Sequence, residues 1–171
     1  MNTQEIERNY LEIKSLNELS KVSKPNNISK ILLLNPPNFQ INKFFYKHIG
    51  KKYMWRDRLI WDDKKWIDFT TNKNVKTYVL KEDKDFVGYF EIIFNTNKLE
   101  CEIAYFGILE EYIGKKYGGF LLSEAIKFSF KGKIKRTWVH TCSLDHKNAI
   151  KNYLSRGMKI FKSEKVVINK Y

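Results

Sequence analysis

Tyr112-Ile113-Gly114-Lys115-Lys116-Tyr117-Gly118-Gly119 joins an apolar run, Ile103–Leu109, to a stretch with apolar residues at helical spacing, Phe120–Phe130. The order is strand, glycine-bearing loop, helix. The first N–H groups of a helix have no acceptor within it, and loop glycines let the backbone approach a ligand closely. Such a turn makes a seat for phosphate oxygens. The stretch therefore predicts a phosphate-bearing ligand between Tyr112 and Gly119. Downstream, Lys135–Cys142 reads as a strand. Asp145 is placed to cap a helix that runs to about Arg156 and stops at Gly157, as glycine commonly does.

Upstream the pattern is a meander. Lys76–Glu82 alternates, Glu82-Asp83-Lys84-Asp85 turns, Phe86–Phe94 continues, and Asn95-Thr96-Asn97-Lys98 turns into Leu99–Leu109. Both turns hold the polar residues that turns favour. Before them come a first strand at Asn9–Leu16, a loop at Lys21–Ser29 and a short strand at Ile31–Leu34. Helices follow at Phe39–Ile49 and Lys64–Thr71, the second capped by Asp62 or Asp63. The tail, Met158–Asn169, reads as two short strands around Ser163-Glu164. Helices, antiparallel strands, then β-α-β-α-β make an α+β fold, with a mixed, mostly antiparallel sheet of six or seven strands flanked by helices in α/β/α layers.

The 171 residues predict a single domain, 1–171, and 43% hydrophobic and 15% aromatic residues are enough to build a core. The N-terminus lacks a signal-peptide pattern and no run is long enough to span a membrane. Cys101 and Cys142 are the two cysteines, which fits a reducing cytoplasm and no disulfide framework. The net charge of +13 is carried mostly by scattered lysines. No dense basic helix or stacking motif accompanies it, which argues against nucleic acid, although a basic surface attracts polyanions. No membrane partner is expected; a two-fold dimer is a fair prior.

These residues resemble the GNAT superfamily of acyl-CoA-dependent N-acyltransferases. In that family a strand leads to Gln/Arg-x-x-Gly-x-Gly/Ala and a helix. The matching window is Ile113-Gly114-Lys115-Lys116-Tyr117-Gly118, in which Ile113 replaces the polar residue and Lys116 the first glycine. Ala104–Tyr112 resembles the family strand and its exit. Asn148-Ala149, Tyr153 and Arg156-Gly157-Met158 resemble the later Asn-x-x-Ala, Tyr and Gly-Phe positions. Trp-Val-His-Thr-Cys, Leu-Asp-His and Ala-Tyr-Phe-Gly resemble strings of a bacterial subgroup without an assigned acceptor. The resemblance covers about Val75 to Phe161. It implies acetyl-CoA as co-substrate; no metal is expected, because a zinc site wants four ligands and His140, Cys142, Asp145 and His146 offer at most three good ones with no CxxC pair. The pyrophosphate would lie on Gly114, Lys115, Lys116, Tyr117, Gly118 and Gly119, and the pantetheine arm along Phe106, Gly107 and Ile108. Asn148 bonds that arm or satisfies its own helix.

Acyl transfer to an amine needs a base, and a proton for the leaving thiolate. Glu102 is the candidate base. It sits where the family often carries one. A four-residue turn at Asn95–Lys98 would also set Glu91 opposite Glu102, and mutual repulsion would raise one pKa. The alternative is a solvated pair on an open face. Tyr153 is the candidate acid, or else a packing tyrosine. Trp55, Asp57 and Arg58, with Glu91 and His140, are candidates to hold the acceptor, a small-molecule or peptide amine; Arg56 or Arg58 would suit a carboxylate on it, and the alternative for the Trp55–Trp61 stretch is aromatic core plus salt bridges. Two competing readings remain: an acyl-CoA sensor without turnover, because the loop departs from the motif, and a hydrolase built on Cys142 and His140, which share a strand face.

Overall fold

The computed structural model describes residues 3–169. The strands are β1 (Thr3–Ile13), β2 (Ser29–Leu33), β3 (Val75–Glu82), β4 (Asp85–Asn95), β5 (Glu100–Ile108), β6 (Arg136–Cys142) and β7 (Lys159–Asn169). The helices are α1 (Phe39–Gly50), α2 (Asp63–Thr70), α3 (Tyr117–Ser129) and α4 (Ala149–Ser155). One sheet of seven strands runs β2-β3-β4-β5-β6-β1-β7. Every pairing is antiparallel except β5 with β6. The α+β, layered architecture is as expected from sequence.

Caps set the early helices. The Asn38 side chain accepts from the Gln40 N–H at 3.1 Å, and Asp62, rather than Asp63, accepts from the Lys65 N–H at 2.8 Å. Asp145 does something else. Its Oδ2 accepts from Thr141 Oγ1 at 2.7 Å and the Cys142 N–H at 3.0 Å, so it braces the end of β6, and α4 starts four residues later at Ala149. The tail is one strand, not two. It follows β1 along its whole length, and the irregularity falls at Phe161, where Tyr10 faces Lys162 and Leu11 faces Ile160. The first strand likewise starts earlier than its apolar pattern, because Thr3–Glu7 pairs with the end of β7.

The sheet has a helix layer on each side. Leu11, Ile92, Ile103 and Val139 pack against Leu121, Leu122 and Ile126 of α3 and Tyr153 of α4. On the opposite face Phe45 and Ile49 of α1 pack on Val79, Tyr89 and Leu109, with the Phe45 and Tyr89 rings stacked at 4.7 Å.

The decisive detail is a bulge in β5. Glu91 faces Tyr105 and the next residue, Ile92, faces Ile103, so Ala104 is left over. The extra residue shifts the alternation by one, so Glu102 and Tyr105, three apart in sequence, both point to the α1–α2 side, while Ile103 points to α3. The same register corrects the expected carboxylate pair. The turn falls one residue later than expected, over residues 96–99 with Leu99 at a φ of 54°, so Asn95 pairs with Glu100 and Glu102 faces Ile93. Glu91 and Glu102 are therefore not opposed.

Candidate active site

β5 and β6 are paired in register only from Glu100–Arg136 to Glu102–Trp138. Beyond Glu102 they diverge, and a cleft of about 1210 Å³ opens between them. Its walls come from both faces of the sheet. Gly114, Lys116, Gly118, Gly119, Asn148 and Arg156 line the α3–α4 side; Tyr53, Trp55, Arg56, Asp57, Tyr105 and His140 line the other. Phe106, Gly107 and Ile108 run along the cleft, with one strand edge paired to β4 and the other turned toward the gap.

At the α3 end, Gly114 takes φ 85° and Lys116 takes φ 67°. Lys116, standing where the resemblance calls for glycine, is thus held left-handed, a conformation that costs a non-glycine residue about 1 kcal/mol or more. Lys116 lines the cleft. Lys115 turns outward, its ammonium 5.0 Å from the Tyr112 ring centroid. The Tyr117 side chain is buried and bonds Glu82 and Asn26, so only its backbone N–H is left for a ligand. Asn152 Nδ2 donates to the Gly118 carbonyl at 3.2 Å and ties α4 to the loop. A Cβ on Gly119 would lie 2.6 Å from Arg156 Nη1, so glycine there admits the guanidinium against the first turn of α3. Arg156 Nε is buried without a hydrogen-bond partner, and burial lowers the pKa of the group. A donor without an acceptor beside open helix N–H groups fits an anion such as a diphosphate.

Tyr153 lines the cleft's middle, 6% exposed, its ring 6.3 Å from that of Phe106. No hydrogen bond ties up its hydroxyl among the described residues. Burial, with Asp145 adding to it, raises the phenol pKa and keeps it protonated. Asn148 donates its N–H to His146 Nδ1 at 3.1 Å and lines the cleft.

The far side is an aromatic and ionic network. Trp55 and Tyr105 meet edge to face at 4.7 Å. The Tyr105 hydroxyl donates to Asp57 at 2.7 Å, and Tyr46 also donates to Asp57 at 2.7 Å. Arg58 and Glu91 do not reach the cleft. They form a salt bridge of 2.7 Å with side chains 5% and 0% exposed. Asn42 Nδ2 holds the other Glu91 oxygen at 2.6 Å, and the guanidinium carbon lies 4.1 Å from the Phe69 ring centroid and 4.3 Å from that of Tyr105. Both residues brace the fold, which corrects their expected place at the acceptor. Glu102 stands at the vertex of the splay, half-buried and outside the cleft wall. Burial raises its pKa, Arg58 pulls it back, and Glu100 adds to the rise.

His140 and Cys142 share a face as expected. The pKa of Cys142 is raised by burial and by Asp145, which disfavours the thiolate a hydrolase would need. His140 is pushed the other way by burial and by Arg8. Among the described residues no group of three His, Cys, Asp or Glu side chains is placed to hold a metal ion. The sequence reading missed Arg8, Arg156, Tyr105 and Tyr53. Arg8 reaches the cleft only because β1 is inserted beside β6, a pairing without local signal; Arg156 was visible as part of a motif but not as a ligand.

The comparisons agree with this geometry. Residues 35–158 match the family model for the acetyltransferase (GNAT) family. The chain belongs to that family. No curated protein matches significantly. Among solved structures, a GCN5-related N-acetyltransferase from Kribbella flavida superposes with a TM-score of 0.67 at 12% identity, covering 97% of this chain and 59% of that one. A functionally unknown conserved protein from Staphylococcus epidermidis gives 0.61 at 19% identity, covering 96% and 61%. This chain thus spans about three fifths of both. An aminoglycoside acetyltransferase from an uncultured soil metagenomic sample, in complex with trehalose, gives 0.65 at 16% identity, covering 86% and 98%. At these identities the likeness is one of fold. No helix of the described residues is long and apolar enough to cross a membrane.

Proposed function

We propose that this protein transfers an acetyl group from acetyl-CoA to a primary amine by direct attack, without an acyl-enzyme. The observation that carries the reading is the splay of β5 from β6 after Glu102, with the glycine loop and Arg156 at one face of the gap. The N–H groups of Gly118 and Gly119, Arg156 and Lys116 would hold the diphosphate. The open edge of Phe106–Ile108 would bond the pantetheine arm as an added strand would. Bound there, acetyl-CoA supplies an activated thioester.

Tyr153 gives its proton to the leaving thiolate, since it lines the cleft, stays protonated and, among the described residues, has no hydrogen bond on its hydroxyl. Glu102 takes the amine proton through water, because its carboxylate lies outside the cleft wall. The new N–C bond replaces the broken C–S bond, and one proton moves at each end. Asp57, pinned by Tyr46 and Tyr105, and Trp55 would orient the amine. The free thiols Cys101 and Cys142 fit a cytoplasmic setting.

Protein, acetyl-CoA and an amine panel, followed by free-thiol release, test the reading. Thiol release that depends on a particular amine is expected. Tight coenzyme binding without release would favour the sensor, and amine-independent release abolished by Cys142→Ala would favour the hydrolase.

A further inference from the structure

The chain has five arginines. Arg58 is paired with Glu91 at 2.7 Å, and Arg136 with Glu12 at 2.5 Å and Glu100 at 3.0 Å. Arg56 donates to the Met54 sulfur at 3.1 Å. The remaining two, Arg8 and Arg156, line the cleft, and the Nε of each is buried with no partner. They serve opposite faces of the sheet. Arg156 sits against α3, on the diphosphate side. Arg8 is opposite Cys142 on β6, and its neighbour Tyr10 but one is opposite His140, so Arg8 shares the α1–α2 face with His140 and Asp57.

Nearby acids do not pair with Arg8. Glu164, its register partner on β7, accepts from Tyr10 at 2.7 Å and pairs with Lys162 at 2.7 Å. Asp145 Oδ2 is held by Thr141 and the Cys142 N–H. Among the described residues Arg8 makes no hydrogen bond or ion pair through its guanidinium. An always-charged group with a fork of donors, lining a cleft and left without an acceptor, is a site for a carboxylate or phosphate. The acidic group on the same face, Asp57, is separate from it and suits an ammonium.

We infer that the acceptor is an amine that also carries an anionic group, a carboxylate or phosphate bound by Arg8 while its amine lies toward Asp57 and the thioester. This rests on the transferase reading. It sets the protein apart from an enzyme for polycationic acceptors, since a cation at Arg8 repels them.

The test pairs acceptors that differ only in the anion: amino acids against their amides, and phosphoethanolamine against ethanolamine, with acetyl-CoA and thiol release as readout. The anionic member of a productive pair is expected to have a kcat/KM at least about ten-fold higher, the scale of one charge-assisted hydrogen bond. Arg8→Gln should collapse that ratio toward one by raising the acceptor KM, with the KM for acetyl-CoA unchanged, and Arg8→Lys should keep part of the preference. Arg156→Gln should do the reverse, weakening acetyl-CoA and leaving the ratio intact. Equal use of neutral partners or of an aminoglycoside, a ratio that survives Arg8→Gln, or no anionic acceptor consumed while acetyl-CoA binds by calorimetry, would each overturn the inference and leave coenzyme binding standing. Failure to bind acetyl-CoA at all would remove the transferase reading, and this inference with it.

Discussion

Arg58 on the loop after α1 and Glu91 in the middle of β4 meet at 2.7 Å with both side chains closed off from water. The pair anchors the segment that carries Asp57 and Trp55 to the sheet. Desolvation opposes each charge, and the partner, with Asn42 on the carboxylate, offsets it.

Breaking that pair from one side should be costly. Arg58→Met or Glu91→Leu alone leaves a buried charge unmatched, and each should lower stability by about 3–5 kcal/mol in urea unfolding. The double substitution should be milder than either single. A double variant as unstable as the sum of the two would show that the pair is not coupled.

Tyr153→Phe should lower kcat by about 100-fold or more, the scale of general acid catalysis, with little change in acetyl-CoA affinity. Among the described residues the hydroxyl makes no hydrogen bond, so the melting temperature should hardly move. Unchanged turnover would remove the acid role.

Glu102→Gln tests a base and a pH effect at once. Burial raises the Glu102 pKa, so turnover in the parent protein should fall as pH drops through that raised value, and the glutamine variant should lose that limb along with most of its kcat. For stability the sign is opposite to that of a salt-bridged carboxylate. A folded pKa above the unfolded one gives a contribution that is full below about 4.3 and lost as pH rises through the folded value. The variant should therefore be relatively more stable at neutral pH, measured by urea unfolding across a pH series. A variant with parental turnover would take Glu102 out of the chemistry.

Lys116→Gly separates strain from charge. Glycine accepts φ 67° freely, so the substitution should stabilise the fold by about 1 kcal/mol. Removing the ammonium should weaken acetyl-CoA binding in calorimetry. If affinity rises instead, the lysine hinders the loop rather than contributing to the phosphate seat.

Local patterns carried much of the molecule. The glycine loop feeding α3, the meander, the Asp62 cap and the stop at Gly157, which takes φ 96°, depend on a few neighbouring residues and were legible. Where the reading failed, a non-local contact had decided. The pairing of Glu91 with Glu102 assumed that Phe94 meets Leu99, but Asn95 pairs with Glu100, so Glu102 faces Ile93, and the extra residue at Ala104 then sets Glu91 against Tyr105. Arg58 read as a candidate to hold the acceptor because nothing near it in sequence shows that Glu91 waits 33 residues away. Asp145 looked like a cap for the helix ahead, whereas its acceptors were satisfied by the strand behind it.

By itself, then, the amino-acid order determined the element sequence, the phosphate-seat loop and the family resemblance, because hydrophobic period, capping and turn chemistry act over a few residues. The tertiary structure alone decided which charges are buried and which face the cleft, because β1 closes beside β6 and β5 bulges at Ala104. The first sets Arg8 at the gap, the second turns Tyr105 toward Asp57, and the contacts of Arg58 and Asn42 keep Glu91 out of it, none of which any spacing along the chain encodes.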